Sequence, residues 1–385
     1  VIHAAGTVDD APLLTKDVSS VENVFSAKIH GTQVLDSLFP DGSIKQMVLF
    51  SSTSTITAPA GQIDYVAANE YLNAYAKART GDTTRVVAIN WGIWKDVGMA
   101  AEAMAARHGD VPRLAPRPVD LPLLDETTFD EAGNRVFTAS YTPSDRWILD
   151  EHRTIDGTAL LPGTGYIELI AEALHGNGET GPFEINDLYF FSPLQVDDGT
   201  MREVRVSLIR RDEGYRVEIS SDVTIDGRKG YHVNAQAILA LGHVPPPAQI
   251  ELEAISGRMG PAERAVGNET LSSRQEANLA FGPRWRVIRS MAYGQGEGLA
   301  ELSLPQEFAR DLGAGIILHP ALLDLATGWA MDLVEGYDSS HLWVPVSYGS
   351  IRVYRPLPAE LRSWVRIATD RSTGGFASFD VTLMD

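Results

Sequence analysis

Two side chains in the second half of the sequence could act together as a general base and a general acid. His152 lies in WILDEHRTIDGTALLPGTG (147–165), and Asp324 lies in LHPALLD (318–324); each run leads into a long apolar segment. A single histidine beside a buried helix is usually structural. A buried, unpaired carboxylate is costly, so burial would raise the pKa of Asp324 and keep it protonated. Such a pair is what loss of water from a 3-hydroxyacyl thioester requires: the base takes the α-proton and the acid protonates the departing hydroxyl.

Four residues in the first hundred could support reduction of a ketone. Ser52 ends a predicted strand, Tyr65 opens a predicted helix, Asn69 lies one turn later on the same face, and Lys28 precedes Ser52 by 24 residues. Hydride transfer to a ketone needs an acid for the developing alkoxide, a second donor at the carbonyl oxygen, and a cation that lowers the pKa of the acid. Tyrosine, serine and lysine meet these needs.

The composition excludes several other classes of site. The 385 residues contain no cysteine, which excludes disulfides and thiolate chemistry and fits a cytoplasmic protein. The nine histidines are not at ligand spacing, so we expect no metal site. A formal net charge of −19 disfavours nucleic acid and anionic membranes as partners. The sequence also contains no apolar run long enough for a transmembrane helix.

The elements that position these residues fall into two regions of different character. The first alternates short apolar strands with helical stretches, which predicts an α/β subdomain over residues 1–105. Residues 106–118 are rich in proline and arginine and are predicted to be a linker. Residues 119–385 contain two similar α+β blocks, predicted at about 119–243 and 250–385.

Each block begins with a long apolar helix and continues with strands joined by glycine-containing turns. The helices are predicted over 163–174 and 320–335, and both are apolar around most of their circumference, as suits a helix wrapped by a curved sheet. After the second helix, separate strands are predicted over 342–348 and 350–355.

The first region resembles the second half of a polyketide synthase ketoreductase, a relative of the short-chain dehydrogenases. The resemblance rests on HAAGTVDD, LFSSTS, GQIDYVAANEYLNAYA and INWGIW. It implies a partial Rossmann-like fold, catalytic roles for Lys28, Ser52, Tyr65 and Asn69, substrate contacts at Asp10 and Trp91, and NADPH as cofactor. The glycine-rich loop that cradles the cofactor pyrophosphate is absent from this sequence, so we expect weak NADPH binding by residues 1–385.

The second region resembles the double-hotdog dehydratase of polyketide and fatty-acid synthases, with the final strand expected to be missing. The resemblance implies catalytic roles for His152 and Asp324 and no cofactor. The family's Tyr-Gly-Pro-x-Phe motif is matched by FGPRW, and the Gln or His that usually follows the aspartate by four residues is replaced by Gly328. The substrate-binding residues implied by the motifs are Gly157, Pro162, Phe281, Gly282, Pro283 and Trp285.

Together the two resemblances imply a polyketide synthase segment. It would reduce a 3-ketoacyl thioester and then dehydrate the (3R)-3-hydroxyacyl product to a trans-2-enoyl thioester. The implied partners are an acyl carrier protein bearing a phosphopantetheine-linked substrate, other synthase domains, and a second copy through a dehydratase homodimer. An acidic carrier would need a local basic patch for docking, for which the candidates are Arg210 and Arg211, or Arg284, Arg286 and Arg289.

Two alternatives remain for the second region. The first is a dehydratase relative that forms a pyran ring or shifts a double bond; the retention of Asp324 disfavours it because such relatives tend to change the aspartate. The second is a degenerate scaffold domain, which Gly328 and a His152–Gly157 interval one residue longer than usual would favour.

Overall fold

The computed structural model divides the chain into two compact units, residues 1–111 and 112–385. It describes residues 1–9, 13, 16–59, 61–92, 115–130, 132–211, 213–225, 228–242, 244–245, 249–368 and 376–385. Most of the predicted linker, residues 106–114, lies outside the described residues. Its last two residues, Arg117 and Pro118, form a short strand in a sheet of the second unit.

The first unit contains a parallel sheet in the order β1-β2-β3. Its small core consists of Met47 and Leu49 on β2 and Leu72 on α4, which packs on that strand. Apolar side chains on strand and helix therefore produce the predicted α/β arrangement. The described elements are β1 (Ile2–His3), α1 (Val18–Phe25), a π-helical turn (Ser26–His30), α2 (Gly31–Leu38), β2 (Gln46–Ser52), α3 (Ser54–Thr57), α4 (Ile63–Ala78) and β3 (Arg85–Trp91).

The first block of the second unit places one long helix against an antiparallel sheet. The sheet has the order β18-β9-β13-β12-β11-β6-β5-β4, and its edge strand β18 comes from the second block. The elements are β4 (Arg117–Pro118), β5 (Glu126–Phe129), β6 (Arg135–Tyr141), α5 (Trp147–Asp150), β7 (His152–Thr154), β8 (Ala159–Leu160), α6 (Gly163–Gly176), β9 (Phe183–Phe190), β10 (Gln195–Val196), β11 (Arg202–Arg211), β12 (Gly214–Ile225) and β13 (Arg228–Leu241).

The second block repeats this arrangement with a shorter helix and the sheet β14-β16-β17-β19-β20. Short 3₁₀ turns also occur in this block, among them Arg274–Ala277, Pro283–Trp285 and Met331–Leu333. The remaining elements are α7 (Leu252–Ser256), β14 (Glu263–Arg264), β15 (Leu279–Phe281), β16 (Ile288–Tyr293), β17 (Glu297–Ser303), α8 (Ala309–Gly313), α9 (Pro320–Gly328), β18 (Ser347–Val353), β19 (Glu360–Ile367) and β20 (Phe379–Met384).

A single hydrophobic core joins the two blocks. The helices α6 and α9 contact each other, and the Thr164 hydroxyl on α6 donates to the carbonyl of Pro320 on α9 at 3.0 Å. Helix α6 is buried along most of its length, as its nearly continuous apolar sequence predicts. A small sheet, β10-β8-β7-β15, also crosses between the blocks, because β7 pairs with β15.

Two elements of the second block differ from the sequence prediction. Helix α9 ends at Gly328, and a separate 3₁₀ turn follows it, so the predicted helix over 320–335 is too long. In place of the two strands predicted over 342–348 and 350–355 there is one strand, β18, which begins only at Ser347 and whose pairing with β9 continues on both sides of Gly349. Gly349 therefore does not break the strand, which its ladder of hydrogen bonds sustains.

Candidate active site

His152 is held by the hairpin of β7 and β8. It is 4% exposed, and its Nδ1 lies 2.7 Å from the carbonyl oxygen of Leu160. Because a carbonyl oxygen can only accept, Nδ1 carries the proton in the neutral ring and Nε2 presents a lone pair. Gly157 closes the hairpin with a φ of +93°, a left-handed conformation that favours glycine. The hairpin thus fixes the tautomer that a general base needs.

Asp324 reaches the same place from helix α9. Its Oδ2 lies 3.8 Å from Nε2 of His152 and accepts a hydrogen bond from the indole Nε1 of Trp285 at 2.9 Å. The carboxyl side chain is 14% exposed. Burial raises the pKa of Asp324, while an electrostatic interaction with His152 and the hydrogen bond from the indole N–H oppose that rise. The structure therefore brings together the two residues that the sequence predicts as base and acid.

Aromatic rings surround the histidine on the side of the second block. The ring centroids of Phe281 and Trp285 lie 5.7 and 5.6 Å from that of His152, and the two aromatic rings stack on each other at 5.9 Å. Pro283 begins the 3₁₀ turn that carries Trp285. These contacts place the FGPRW motif beside His152. Trp285 is only 1% exposed, so its contacts are chiefly with protein groups.

Gly282 and Pro162 shape the backbone around this pair. A Cβ at Gly282 would stand 2.4 Å from Cγ of Glu151, and the Gly282 amide donates to the Glu151 carbonyl at 2.8 Å. Only glycine permits this close approach of the motif to the residue preceding His152. Pro162 is the N-cap residue of α6. Both positions therefore support the site through the backbone.

Arg284 is part of the site's support and not of a basic docking surface. It is 11% exposed, and its guanidinium forms ion pairs with Glu151 and, at 2.7 Å, with Asp311. Arg286 is also paired, with Glu276 at 2.7 Å. The predicted basic patch at 284, 286 and 289 is therefore wrong for Arg284, because two carboxylates neutralise its buried charge. The sequence alone does not show that Arg284 is neutralised, because its partners Glu151 and Asp311 are distant in the chain.

Sequence reasoning missed two buried carboxyls on α6. Glu168 and Glu172 are fully buried; Glu168 accepts from the amides of Ile317 and Leu318, and Glu172 accepts from the amide of Leu123. Burial raises the pKa of both carboxyls, and the neighbouring Glu168 raises that of Glu172 further. The signal in the sequence was two glutamates four residues apart within GYIELIAEAL, where they must share one face of an apolar helix.

In the first unit, Lys28 and Tyr65 lie together. Lys28 sits in the π-helical turn, is 4% exposed, donates to the carbonyl of Phe50 at 2.8 Å, and has its Nζ 5.8 Å from the Tyr65 ring centroid. Burial lowers the pKa of Lys28 to about 8. The Asn69 amide donates to the carbonyl of Tyr65 at 2.7 Å. Lys28, Tyr65 and Asn69 are thus some of the groups predicted for reduction of a carbonyl.

The remaining predicted site residues of the first unit are Ser52, Trp91 and Asp10, and the structure describes the first two. The hydroxyl of Ser52 accepts from the Ser54 amide at 3.1 Å, at the end of β2. Trp91 is paired with Ser52 in the strand register, and its ring lies 5.2 Å from that of Phe50. Asp10 lies outside the described residues.

Family models match both units. Residues 1–96 match the KR domain, residues 122–222 match the polyketide synthase dehydratase domain, and residues 258–385 match the polyketide synthase dehydratase N-terminal domain. The chain contains polyketide synthase domains. It joins part of a ketoreductase domain to a dehydratase domain, a hydro-lyase, as the two sequence resemblances predict.

Curated polyketide synthases are similar to this chain over about a hundred residues. The 6-methylsalicylic acid synthase of Aspergillus terreus is 38% identical over 101 residues, 26% of this chain and 6% of the relative. The polyketide synthase GfsA of Streptomyces halstedii is 39% identical over 110 residues, 29% of this chain and 2% of the relative. The matched region thus spans a small part of these synthases.

Solved dehydratase domains share the fold of the second unit. The dehydratase domain from the CurF module of the curacin polyketide synthase is 22% identical, covers 69% of this chain and 93% of its own, and has a TM-score of 0.57. A trans-AT polyketide synthase dehydratase domain from Brevibacillus brevis is 19% identical, covers 69% and 92%, and has a TM-score of 0.58. The predicted fold class, α/β followed by a double hotdog, is confirmed.

A ketoreductase domain implies an NADPH-type cofactor in the parent synthase. Lys28 and Tyr65 suit the reacting end of such a cofactor, but the sequence of this polyketide synthase chain contains no glycine-rich loop for its pyrophosphate. The residues present therefore suit the reacting end of the cofactor but supply no loop for its pyrophosphate.

Among the described residues, no group of three or more histidine, aspartate or glutamate side chains could hold a metal ion. None of the described helices has the length and apolar character needed to span a membrane.

Proposed function

We propose that the dehydratase domain converts a (3R)-3-hydroxyacyl thioester, carried on the phosphopantetheine of an acyl carrier protein, into a trans-2-enoyl thioester. The observation that carries this proposal is the 3.8 Å approach of His152 Nε2 to Asp324 Oδ2. The surroundings of each residue suit the role proposed for it. The Leu160 carbonyl keeps the proton on Nδ1 of His152, and burial raises the pKa of Asp324.

Dehydration can be written with these two groups alone. Nε2 of His152 takes the α-proton, the double bond forms as the C–O bond breaks, and Asp324 gives its proton to the departing hydroxyl, which leaves as water. The histidine is then charged and the aspartate ionised. Loss of the proton from Nε2 and uptake of a proton by the carboxylate restore both groups, so that a cycle consumes no net acid or base.

The ketoreductase part supports the choice of the 3R isomer. Val8, Asp9 and Asp10 follow the HAAG turn, as a conservative variant of the Leu-Asp-Asp typical of ketoreductases that form 3R alcohols. Thr57 stands where the opposite class has tryptophan, and Ala67 stands where epimerising members have proline. An NADPH-dependent reduction in the parent synthase would thus supply the isomer that the dehydratase consumes. The other partners proposed are further synthase domains and a second copy of the dehydratase.

The test is to give residues 1–385 the separate 3R and 3S 3-hydroxyacyl pantetheine thioesters, to follow water loss by mass spectrometry, and to assign the product isomer by proton NMR. We expect loss of one water from the 3R substrate and a trans-2-enoyl product. Preference for 3S would refute the stereochemical assignment. An unchanged substrate mass would indicate a scaffold domain, and a cyclic ether or a shifted double bond would indicate the alternative enzymes.

A further inference from the structure

One indole contacts both members of the acid–base pair. The Nε1–H of Trp285 donates to Oδ2 of Asp324 at 2.9 Å, and the indole ring lies 5.6 Å from the imidazole of His152. The rings are tilted by 39° relative to each other. Since Trp285 is 1% exposed, almost none of its surface is left for a substrate. Its contribution to the site is therefore its contact with these two side chains.

Within the described part of the chain, the indole N–H is the hydrogen-bond donor to the Asp324 carboxyl. The residue four positions later on the same face of α9 is Gly328, which has no side chain to offer. A Cβ at Gly328 would stand 3.0 Å from both amide atoms of Gln275, so Gln275 fills that space. A glutamine or histidine at 328 would have to displace Gln275, and the donor to Asp324 comes from another element.

That element is rigidly held. Trp285 ends the 3₁₀ turn that Pro283 begins, and the turn's middle residue, Arg284, is bound by Glu151 and Asp311. The ring of Trp147 packs edge-on against the indole at 6.0 Å. The indole nitrogen consequently has a fixed position relative to α9. A group that orients a reacting carboxyl must be held in place in this way.

We propose that Trp285 is a positioning residue that orients Asp324 as the general acid of the dehydratase. This inference rests on the proposed function. With Oδ2 held by the indole N–H, the proton of the neutral carboxyl is on Oδ1, and Oδ1 is the atom that delivers it to the departing hydroxyl. The same indole packs against His152, so one side chain fixes the acid relative to the base.

The hydrogen bond has a measurable electrostatic consequence. Burial raises the pKa of Asp324, and the indole N–H opposes that effect because it stabilises the carboxylate. Removing the N–H therefore raises the pKa of Asp324 further. Because the acid must be protonated to act, the alkaline limb of the dehydration pH profile moves to higher pH when the N–H is lost.

The experiment compares Trp285→Phe with Trp329→Phe in residues 1–385, using a (3R)-3-hydroxyacyl pantetheine thioester. Trp329 is also 1% exposed and also loses a buried indole hydrogen bond, to Ser363 at 3.1 Å. We expect Trp285→Phe to lower kcat roughly ten- to hundredfold with KM unchanged. The alkaline limb of the pH profile of Trp285→Phe should move to higher pH by about one unit, while the alkaline limb of Trp329→Phe should not move.

A second replacement removes the N–H without changing the shape of the ring. Site-specific incorporation of 3-benzothienylalanine at position 285 puts sulfur in place of the indole N–H, which keeps the packing against His152. The same upward movement of the limb is expected. An unmoved limb in this variant, or an equal movement in Trp329→Phe, would overturn the positioning role. Absence of dehydration by the unaltered chain would instead refute the proposed function itself.

Discussion

We expect the two buried carboxyls of α6 to make the stability of the dehydratase domain depend on pH. Glu168 and Glu172 are fully buried, and burial raises the pKa of both above the ordinary value of 4.5. Glu168 also accepts two backbone N–H groups, which suit a carboxylate. Glu172 is thus the member that we expect to keep a proton in the folded domain at neutral pH.

The sign and size of the effect follow from linkage. Above pH 4.5 the unfolded chain releases a proton that folded Glu172 retains, so the free energy of unfolding falls as pH rises toward the folded pKa. One retained proton corresponds to about 1.4 kcal/mol per pH unit. Between pH 6 and 8 this amounts to about 3 kcal/mol. Glu172→Gln supplies a permanently neutral group, keeps an oxygen for the Leu123 amide, and removes this dependence.

The assay is urea unfolding of residues 1–385 at pH 6, 7 and 8, followed by tryptophan fluorescence. The quantity compared is the slope of unfolding free energy against pH in the wild type and in Glu172→Gln. The exposed Glu253 on α7 offers a control, because Glu253→Gln should leave the slope unchanged. Equal slopes in the wild type and Glu172→Gln would refute the assignment of a retained proton.

Two further pairs of substitutions, each a test with its control, probe the support of the fold and the site. Gly214→Ala should lower the free energy of unfolding by about 3 kcal/mol or more, because a Cβ there would stand 2.0 Å from a backbone carbonyl at a φ of +149°. Gly178→Ala, at a φ of +93° with open space, should cost only about 1 kcal/mol of backbone strain. Arg284→Met should cost about 3 kcal/mol because it removes the cationic partner of two largely buried carboxylates. Arg264→Met, in an exposed ion pair, should cost less than about 1 kcal/mol, and thermal denaturation measures all four.

The sequence was sufficient to single out the two residues that we propose as the acid–base pair. His152 lies on the strand β7 shortly before helix α6, Asp324 lies within helix α9, and the structure places their side chains 3.8 Å apart. Local pattern singles out Asp324 because a carboxylate interrupts the apolar periodicity of its helix. The α/β character of the first unit was also predictable from periodicity.

Contacts between distant segments could not be predicted in this way. The hydrogen bond from Trp285 to Asp324 joins residues 39 apart, and the Arg284–Glu151 pair joins residues 133 apart. No spacing rule relates such positions. The pairing of β18 with β9 likewise takes a strand of the second block into the sheet of the first. Periodicity identifies a strand but carries no information about its neighbour in the sheet.

The most direct measurement of the central claim is the rate of water loss from a (3R)-3-hydroxyacyl thioester by the wild type, His152→Ala and Asp324→Asn. Asp324→Asn keeps an oxygen for the Trp285 indole but has no proton to give as an acid. Circular dichroism would establish that each variant is folded. We expect both folded variants to lose water elimination almost completely. Wild-type turnover by either one would contradict the two-residue mechanism.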